Sequence, residues 1–503
     1  MTPRLPAPCA PFVPLLAAAF LLLAFPPAPA RAARVEFTEY DLPNGLHVIL
    51  APEHVNPVFS SYLLYHVGSK NERPDRTGFA HFFEHLMFEG TENIGRGETF
   101  KIVTAAGGNL NASTSFDQTD YYLNLPANQY ALALWIESER MLHARVEQAG
   151  VDTQRQVVKE ERRMRYDNQP YGGLFEELAK LVFAGSPYSW VPIGSVQYID
   201  QATLEEFRAF YKQFYVPNNA TLVLAGDFDP EKIKSEVAAY FGPIPRGADI
   251  ARPAITLDFQ VAGGPLPPPA PKRMQTEVAA LVDQPAPATH VTSEERFPLR
   301  PTAGRTVTVE RANTPLPASL HAWLAPRETD PDAYAVELLT NILANGRSSR
   351  LYRRLVDDEQ AAVQASAFPY FLESAGTVGV FAVANRGVTI EKLDALIDEE
   401  IAKVKKEGVT ESEYQKARNQ KESEFATSYG TAQARARALA HYHVFFGDTS
   451  LVNTELQRYL AVTRDDLKRV ANKYLVTEST DILHYPVPGK PAAPAAPNAP
   501  AAQ

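Results

Sequence analysis

Eleven residues, Gly78-Phe79-Ala80-His81-Phe82-Phe83-Glu84-His85-Leu86-Met87-Phe88, constrain this chain more than any other stretch. Wound at about 100° per residue, Phe79, Phe82, Phe83 and Leu86 share one arc of a helix, and His81, Glu84 and His85 share the opposite arc. Such a helix must bury its aromatic arc against a core and turn two imidazoles, one turn apart, towards a site. Imidazoles at i and i+4 can converge on one metal ion, and neutral imidazole is a favoured zinc ligand. The carboxylate between them is placed to take a proton from a metal-activated water. With 11 histidines in 503 residues, this spacing arises by chance in only about one chain in a hundred.

A catalytic zinc takes three protein ligands and keeps one position for water. The best downstream candidate lies in Gln154-Arg155-Gln156-Val157-Val158-Lys159-Glu160-Glu161-Arg162-Arg163, which reads as a helix. Taken alone, its acid pair among basic residues describes a solvated charged face equally well. Together, an inverted His-x-x-Glu-His motif and a helical glutamate about 76 residues beyond it resemble the pitrilysin/insulinase family of zinc peptidases. That family includes the mitochondrial processing peptidase. The resemblance implies one Zn2+ per chain held by His81, His85 and Glu161 (rather than Glu160), with Glu84 as the catalytic base. Many family members carry another acid seven residues before the third ligand; here that position is Gln154.

The likeness covers most of the chain. Leu42-Pro43-Asn44-Gly45-Leu46 resembles the family's first hairpin turn, and Tyr215 to Asp227 its returning strand. Gly107 to Thr114 resembles the substrate-binding edge strand, which makes Asn111 and Ala112 the expected backbone or amide contacts to an extended peptide. Asn345 to Leu355 resembles the second-half signature, in which Arg350 matches an arginine that helps hold the substrate. The tyrosine often found some 13 residues further on is replaced by Val363.

Residues 1–32 read as a signal peptide, with Arg4, an apolar stretch from Phe12 to Phe25 and a small-residue cleavage site at Ala30-Arg31-Ala32. The stretch is short for a membrane span and no later one follows, so stable membrane insertion is not expected. Its removal takes away Cys9, the single cysteine, and two positive charges from a chain whose formal net charge is −10. Such a balance argues against nucleic acid as a partner. Secretion and family pattern together imply a bacterial periplasmic or secreted protein.

The expected fold is α+β: two homologous domains, each a mostly antiparallel sheet packed with helices, together forming a half-shell. The zinc domain is expected over 33–262, a Pro-rich linker over 263–300, a second domain without the zinc motif over 301–486, and a disordered tail over 487–503. Three strands precede the metal helix, with Thr77 as its cap and Gly90 at its end. Asn111 to Asn124 reads as one strand, and Ala127 to Ala149 and Thr153 to Asp167 as helices. Asp332 to Ala344 takes the place of the metal helix in the second unit, without histidines. His441 and His443 stand two apart on a helix, so their side chains diverge and share no metal.

The expected function is a zinc endopeptidase acting on peptides or unfolded segments in an enclosed chamber, as a homodimer or a heterodimer with a related subunit. The alternative is a non-catalytic or single-substrate processing subunit of a heterodimeric complex.

Overall fold

Three strands lead into the metal-motif helix: β1 (Thr38–Asp41), β2 (His47–Pro52) and β3 (Val58–Tyr65). They join β4 (Asn109–Thr114), β5 (Thr119–Pro126) and β6 (Ala220–Gly226) in a six-stranded sheet of order β1-β2-β6-β3-β5-β4. Only β2 and β6 run parallel. The computed structural model describes residues 34–259 and 295–489. The expected signal peptide, most of the linker and nearly all of the tail lie outside the described residues. The last residues of the expected linker are structured: β8 (Arg296–Leu299) pairs in parallel with β7 (Ala254–Leu257).

The second half holds β9 (Thr306–Thr308), β10 (Ala318–Ala325), β11 (Ala362–Phe371), β12 (Gly376–Ala384) and β13 (Asp481–Tyr485), in the order β11-β12-β10-β13-β9. Again one pair, β13 and β9, is parallel. Taken outward from the parallel pair, β2-β6-β3-β5-β4 and β9-β13-β10-β12-β11 have the same connectivity. The helix Phe79–Leu86 follows β3 as Pro331–Ala344 follows β10. The protein is thus an α+β molecule with one topology used twice.

Strand alternation divides the first sheet into two apolar faces. Val48, Leu50, Phe59, Leu63, Tyr65, Leu222 and Leu224 pack towards the metal-motif helix. Ile49, Ala51, Tyr62, Leu64, Val223 and Ala225 face the other way, where Ala432, Ala436, Leu439 and Ala440 of the helix Ala432–His441 cover them. That helix belongs to the second half. In return, Leu174 and Leu178 of the first-half helix Leu174–Val182 cover Ala318, Leu320, Ala322 and Leu483 of the second sheet. Each half seals the other's sheet, which is why the central strands β6 and β10 are buried throughout and β3 at every residue after Val58. Burying one such leucine stabilises by about 1.5–3 kcal/mol, so separating the halves would expose two faces at once.

The tips of the two edge hairpins also meet. Lys70, 3% exposed, stands 2.7 Å from Asp117 and pairs with Glu373, which in turn takes His66 at 2.7 Å. The Asp117 carboxylate accepts from the Glu373 backbone N–H at 3.0 Å, and the Tyr188 hydroxyl donates to it at 2.6 Å.

Two expected elements are corrected. Asn111 to Asn124 is not one strand but a hairpin, because Ser115 N–H bonds back to the Gln118 carbonyl at 2.8 Å and reverses the chain. The helix expected over Ala127 to Ala149 ends at His143, and a new one runs Gln148–Arg162. Extended backbone at Glu147 separates them, so Glu161 sits on a helix aimed independently of its predecessor.

Candidate active site

The helix Phe79–Leu86 is held by aromatic contacts along its whole buried face. Phe79 and Phe82 stack on Phe207 with ring centroids 4.8 and 4.5 Å apart, and Phe83 lies 4.7 Å from Tyr215. Its start is equally fixed. Gly78 has φ +99°, and a Cβ there would meet the Gly194 backbone at 3.2 Å. Only a glycine takes that conformation at that separation without strain. Thr77 is not the cap: its hydroxyl accepts from Ser195 N–H at 3.1 Å. The free N–H groups of Gly78 and Ala80 are met instead by the buried Glu72 carboxylate, at 2.9 and 2.7 Å. Burial pushes the Glu72 carboxyl up to about 8, against those bonds, which draw it down. The helix ends at Leu86, four residues before Gly90.

The structure brings His81, His85 and Glu161 together. One potential ligand atom from each lies within 4.8 Å of the others. Glu161 Oε2 stands 3.5 Å from His81 Nε2 and 3.3 Å from His85 Nε2, and the two rings lie 4.9 Å apart. Atoms bound tetrahedrally to zinc at about 2.0–2.2 Å stand roughly 3.3–3.6 Å from one another, so two imidazoles and one carboxylate at these separations fit zinc. Glu160 points away, towards Arg163.

The electrostatics favour a neutral donor at His81. Burial, then the neighbouring His85, lowers its pKa to about 4. Burial also opposes charge on His85, but Glu161 and Glu84 outweigh it and hold the pKa above the usual value. Glu161, whose second oxygen takes Arg165 at 2.8 Å, is held below the carboxylate range: burial works against this, and the bond to His85 and the charges of His81 and Arg165 prevail.

Glu84 stands outside the ligand triad. Its Oε2 accepts from the Thr114 hydroxyl at 2.6 Å, and burial lifts its pKa to about 7. Thr114 closes β4, the outermost strand of the sheet. Asn111 is exposed and Ala112 half-buried on that same strand, whose outer edge pairs with no other strand among the described residues. Thr114 went unmarked in the sequence because only the hairpin fold returns it to the helix.

Gln154 occupies the position where an acid is common. Its amide oxygen lies 3.0 Å from His85 Nδ1, and its amide nitrogen donates to the buried Glu89, which also binds Arg96. Arg350 is not gathered into the triad. It starts a short helical turn in the second half, where Glu413 clasps its guanidinium at 2.7 Å through both oxygens and the Gly408 carbonyl accepts at 3.0 Å. Val363 lies half exposed beside an irregularity in β11.

Comparison with known proteins gives a consistent picture. A family model described as "Insulinase (Peptidase family M16)" matches residues 47–189, and one described as "Peptidase M16 inactive domain" matches 201–421. The chain is 30% identical over 447 residues to a zinc protease, PqqE, of Helicobacter pylori, covering 88% of this chain and 92% of that one. A crystal structure of a protease from Helicobacter pylori superposes with a TM-score of 0.77 at 27% identity, over 90% of this chain and all of that one. The periplasmic protease PqqL of Escherichia coli shares the fold at 17% identity, with a TM-score of 0.67 over 90% of this chain and 48% of that one. Likeness over nearly the full length of two chains, at this identity, makes the protein a member of the insulinase family, peptidase family M16.

Proposed function

We propose that this protein is a zinc-dependent endopeptidase that cleaves peptides or unfolded segments, with His81, His85 and Glu161 as zinc ligands and Glu84 as general base. The observation that carries the reading is the meeting of three ligand-type atoms beside a fourth, unligated carboxylate tied to the sheet edge. When bound, zinc would acidify a water and polarise the scissile carbonyl. The chain's own residues supply the rest. A peptide lying along β4 as an added strand would be gripped through main-chain hydrogen bonds, Asn111 and Ala112 being among the groups at its disposal. Glu84 takes a proton on its free carboxylate and delivers it to the leaving amine. A pKa near neutrality suits both steps. For Arg350 to hold substrate it must exchange Glu413 for the peptide.

The site faces an open sheet edge, and a second copy or a related subunit would close it into a chamber. The names of the relatives support the protease reading, and the periplasmic location of the Escherichia coli neighbour PqqL favours the same compartment here. Among the described residues no helix is long and apolar enough to cross a membrane.

The test is cleavage of a mixed peptide pool by purified protein, with and without chelator, beside Glu84→Gln and His85→Ala. Wild type should cut and stop on chelation. Glu84→Gln should keep its zinc by elemental analysis and cut nothing, and His85→Ala should lose the ion from this site. Cleavage by Glu84→Gln at the wild-type rate overturns the assignment.

A further inference from the structure

We propose that Arg165 is a further catalytic residue of the peptidase site, donating an N–H to the scissile carbonyl oxygen as negative charge builds on it. The assignment rests on the peptidase reading above, with the peptide along β4 and Glu84 as the base.

The run after the third ligand carries three arginines, Arg162, Arg163 and Arg165. Two are engaged elsewhere. Arg162 donates to the Gly194 carbonyl at 2.6 Å and to Glu176 at 2.8 Å, and Arg163 donates to Glu160 at 2.8 Å. Arg165 alone of the three meets the ligand cluster. It lies on the wide helical turn Arg163–Asp167, a geometry that recurs at functional sites. Its Nη1 stands 2.8 Å from Glu161 Oε1, while the other oxygen of that carboxylate faces the two imidazoles. A glutamate and an arginine four apart on a helix often form a solvated pair of little consequence. This pair is lopsided: the Glu161 side chain is 16% exposed and that of Arg165 is 73% exposed. One end of the guanidinium is therefore fixed against the cluster, and the rest of it is open to an incoming group. Among the described residues no second carboxylate pairs with it.

The reaction calls for such a group. Attack on the carbonyl carbon places negative charge on the oxygen, and a fixed donor there binds the transition state better than the intact peptide. Arg350, expected to hold the substrate from the second half, is clasped by Glu413, and Val363 offers no hydroxyl. Arg165 brings the charge from the first half. Glu84 is tied to β4 through Thr114, and Arg165 to the end of the helix Gln148–Arg162 through Glu161. Base and cation thus reach the cluster from different elements. The charge of Arg165 is felt at His81, where it adds to burial and His85 in lowering the pKa. A guanidinium keeps its protons throughout, so Arg165 transfers none; it supplies a hydrogen bond that strengthens as the oxygen gains charge.

The test compares Arg165→Met and Arg165→Lys with wild type in the zinc-loaded protein. The side chain is exposed, so both variants should fold, with thermal midpoints near that of wild type. Arg165→Met should keep its zinc by elemental analysis and lose about 100- to 1,000-fold in kcat, with little change in KM. A phosphinic peptide, whose tetrahedral anion imitates the charged oxygen, should bind this variant about 100-fold more weakly by calorimetry. Adding Arg165→Met to Glu84→Gln should leave the Kd of an uncut peptide unchanged. Arg165→Lys, which keeps the charge, should recover part of both losses. The proposal is overturned if Arg165→Met cuts at the wild-type rate or binds the phosphinic peptide as wild type does. It is overturned equally if excess zinc restores turnover, since Arg165 would then only steady Glu161. Those outcomes leave the peptidase reading standing, whereas a wild type that cuts no peptide overturns that reading and this one with it.

Discussion

His85 Nδ1 lies 3.0 Å from the amide oxygen of Gln154. An amide oxygen can only accept, so Nδ1 directs its proton to Gln154 and Nε2 is the ring nitrogen turned towards Glu161. The amide nitrogen of Gln154 then donates to Glu89. A negative charge therefore stands one residue further from the ring than a direct carboxylate would place it. Replacing Gln154 with Ala frees the ring to rotate. Metal affinity should fall about 10- to 100-fold, read by competition with a coloured chelator, while the thermal midpoint of the metal-free protein moves little.

The outer edge of β4, which pairs with no other strand among the described residues, is where a substrate strand should dock. In Glu84→Gln, a peptide at ten times its Kd leaves about one site in eleven free. Backbone amides within 109–114 that point outward should then exchange with deuterium about tenfold more slowly, as mass spectrometry would show. If protection falls on β11 instead, the edge assignment is wrong.

Lys70 offsets two carboxylates at the junction of the halves. Lys70→Ala leaves Asp117 and Glu373 facing each other in a buried pocket. Such a loss costs roughly 3–5 kcal/mol, measurable by denaturant unfolding. Adding Glu373→Gln removes one of the stranded charges and should recover part of that loss.

Asp394 gives the second half a pH signature. It accepts from His321 and His484 at 2.9 and 2.8 Å and from Ser319. Burial would raise its pKa, but those bonds prevail and hold it well below the usual range. Burial would likewise lower His321, but Asp394 and Asp398 outweigh it and raise the ring above 6.5. The carboxylate contributes stability above an unfolded value of about 3.8 and loses it as the pH falls towards the folded value. The imidazolium contributes fully below about 6.5 and loses its share as pH rises through the raised folded value. Asp394→Asn should therefore cost most, roughly 3–5 kcal/mol, between about pH 4 and 6.5. The gap between variant and wild type should narrow at pH 9, as paired thermal melts would show.

The sequence alone determined the helix Phe79–Leu86 and its two faces, because helical periodicity is a property of neighbours in the chain. It also singled out His81, Glu84, His85 and Glu161 through spacing and family likeness. The repeated order of strands and helices, and Pro331–Ala344 as the counterpart of the metal-motif helix, could be read from the same local patterns. What sequence could not supply is every relationship that depends on a long closed loop. Thr114 reaches Glu84 because a hairpin forms where one strand was expected. Ala432–His441 covers the first sheet, and Leu174–Val182 the second, because each sheet has two apolar faces and its own half covers only one. His47 meets His443 because that exchange carries the second half's turn across to β2. These contacts join residues from 30 to several hundred positions apart, and no local pattern encodes them. Burial of apolar surface brings the segments together, and side-chain chemistry then fixes which atoms face one another.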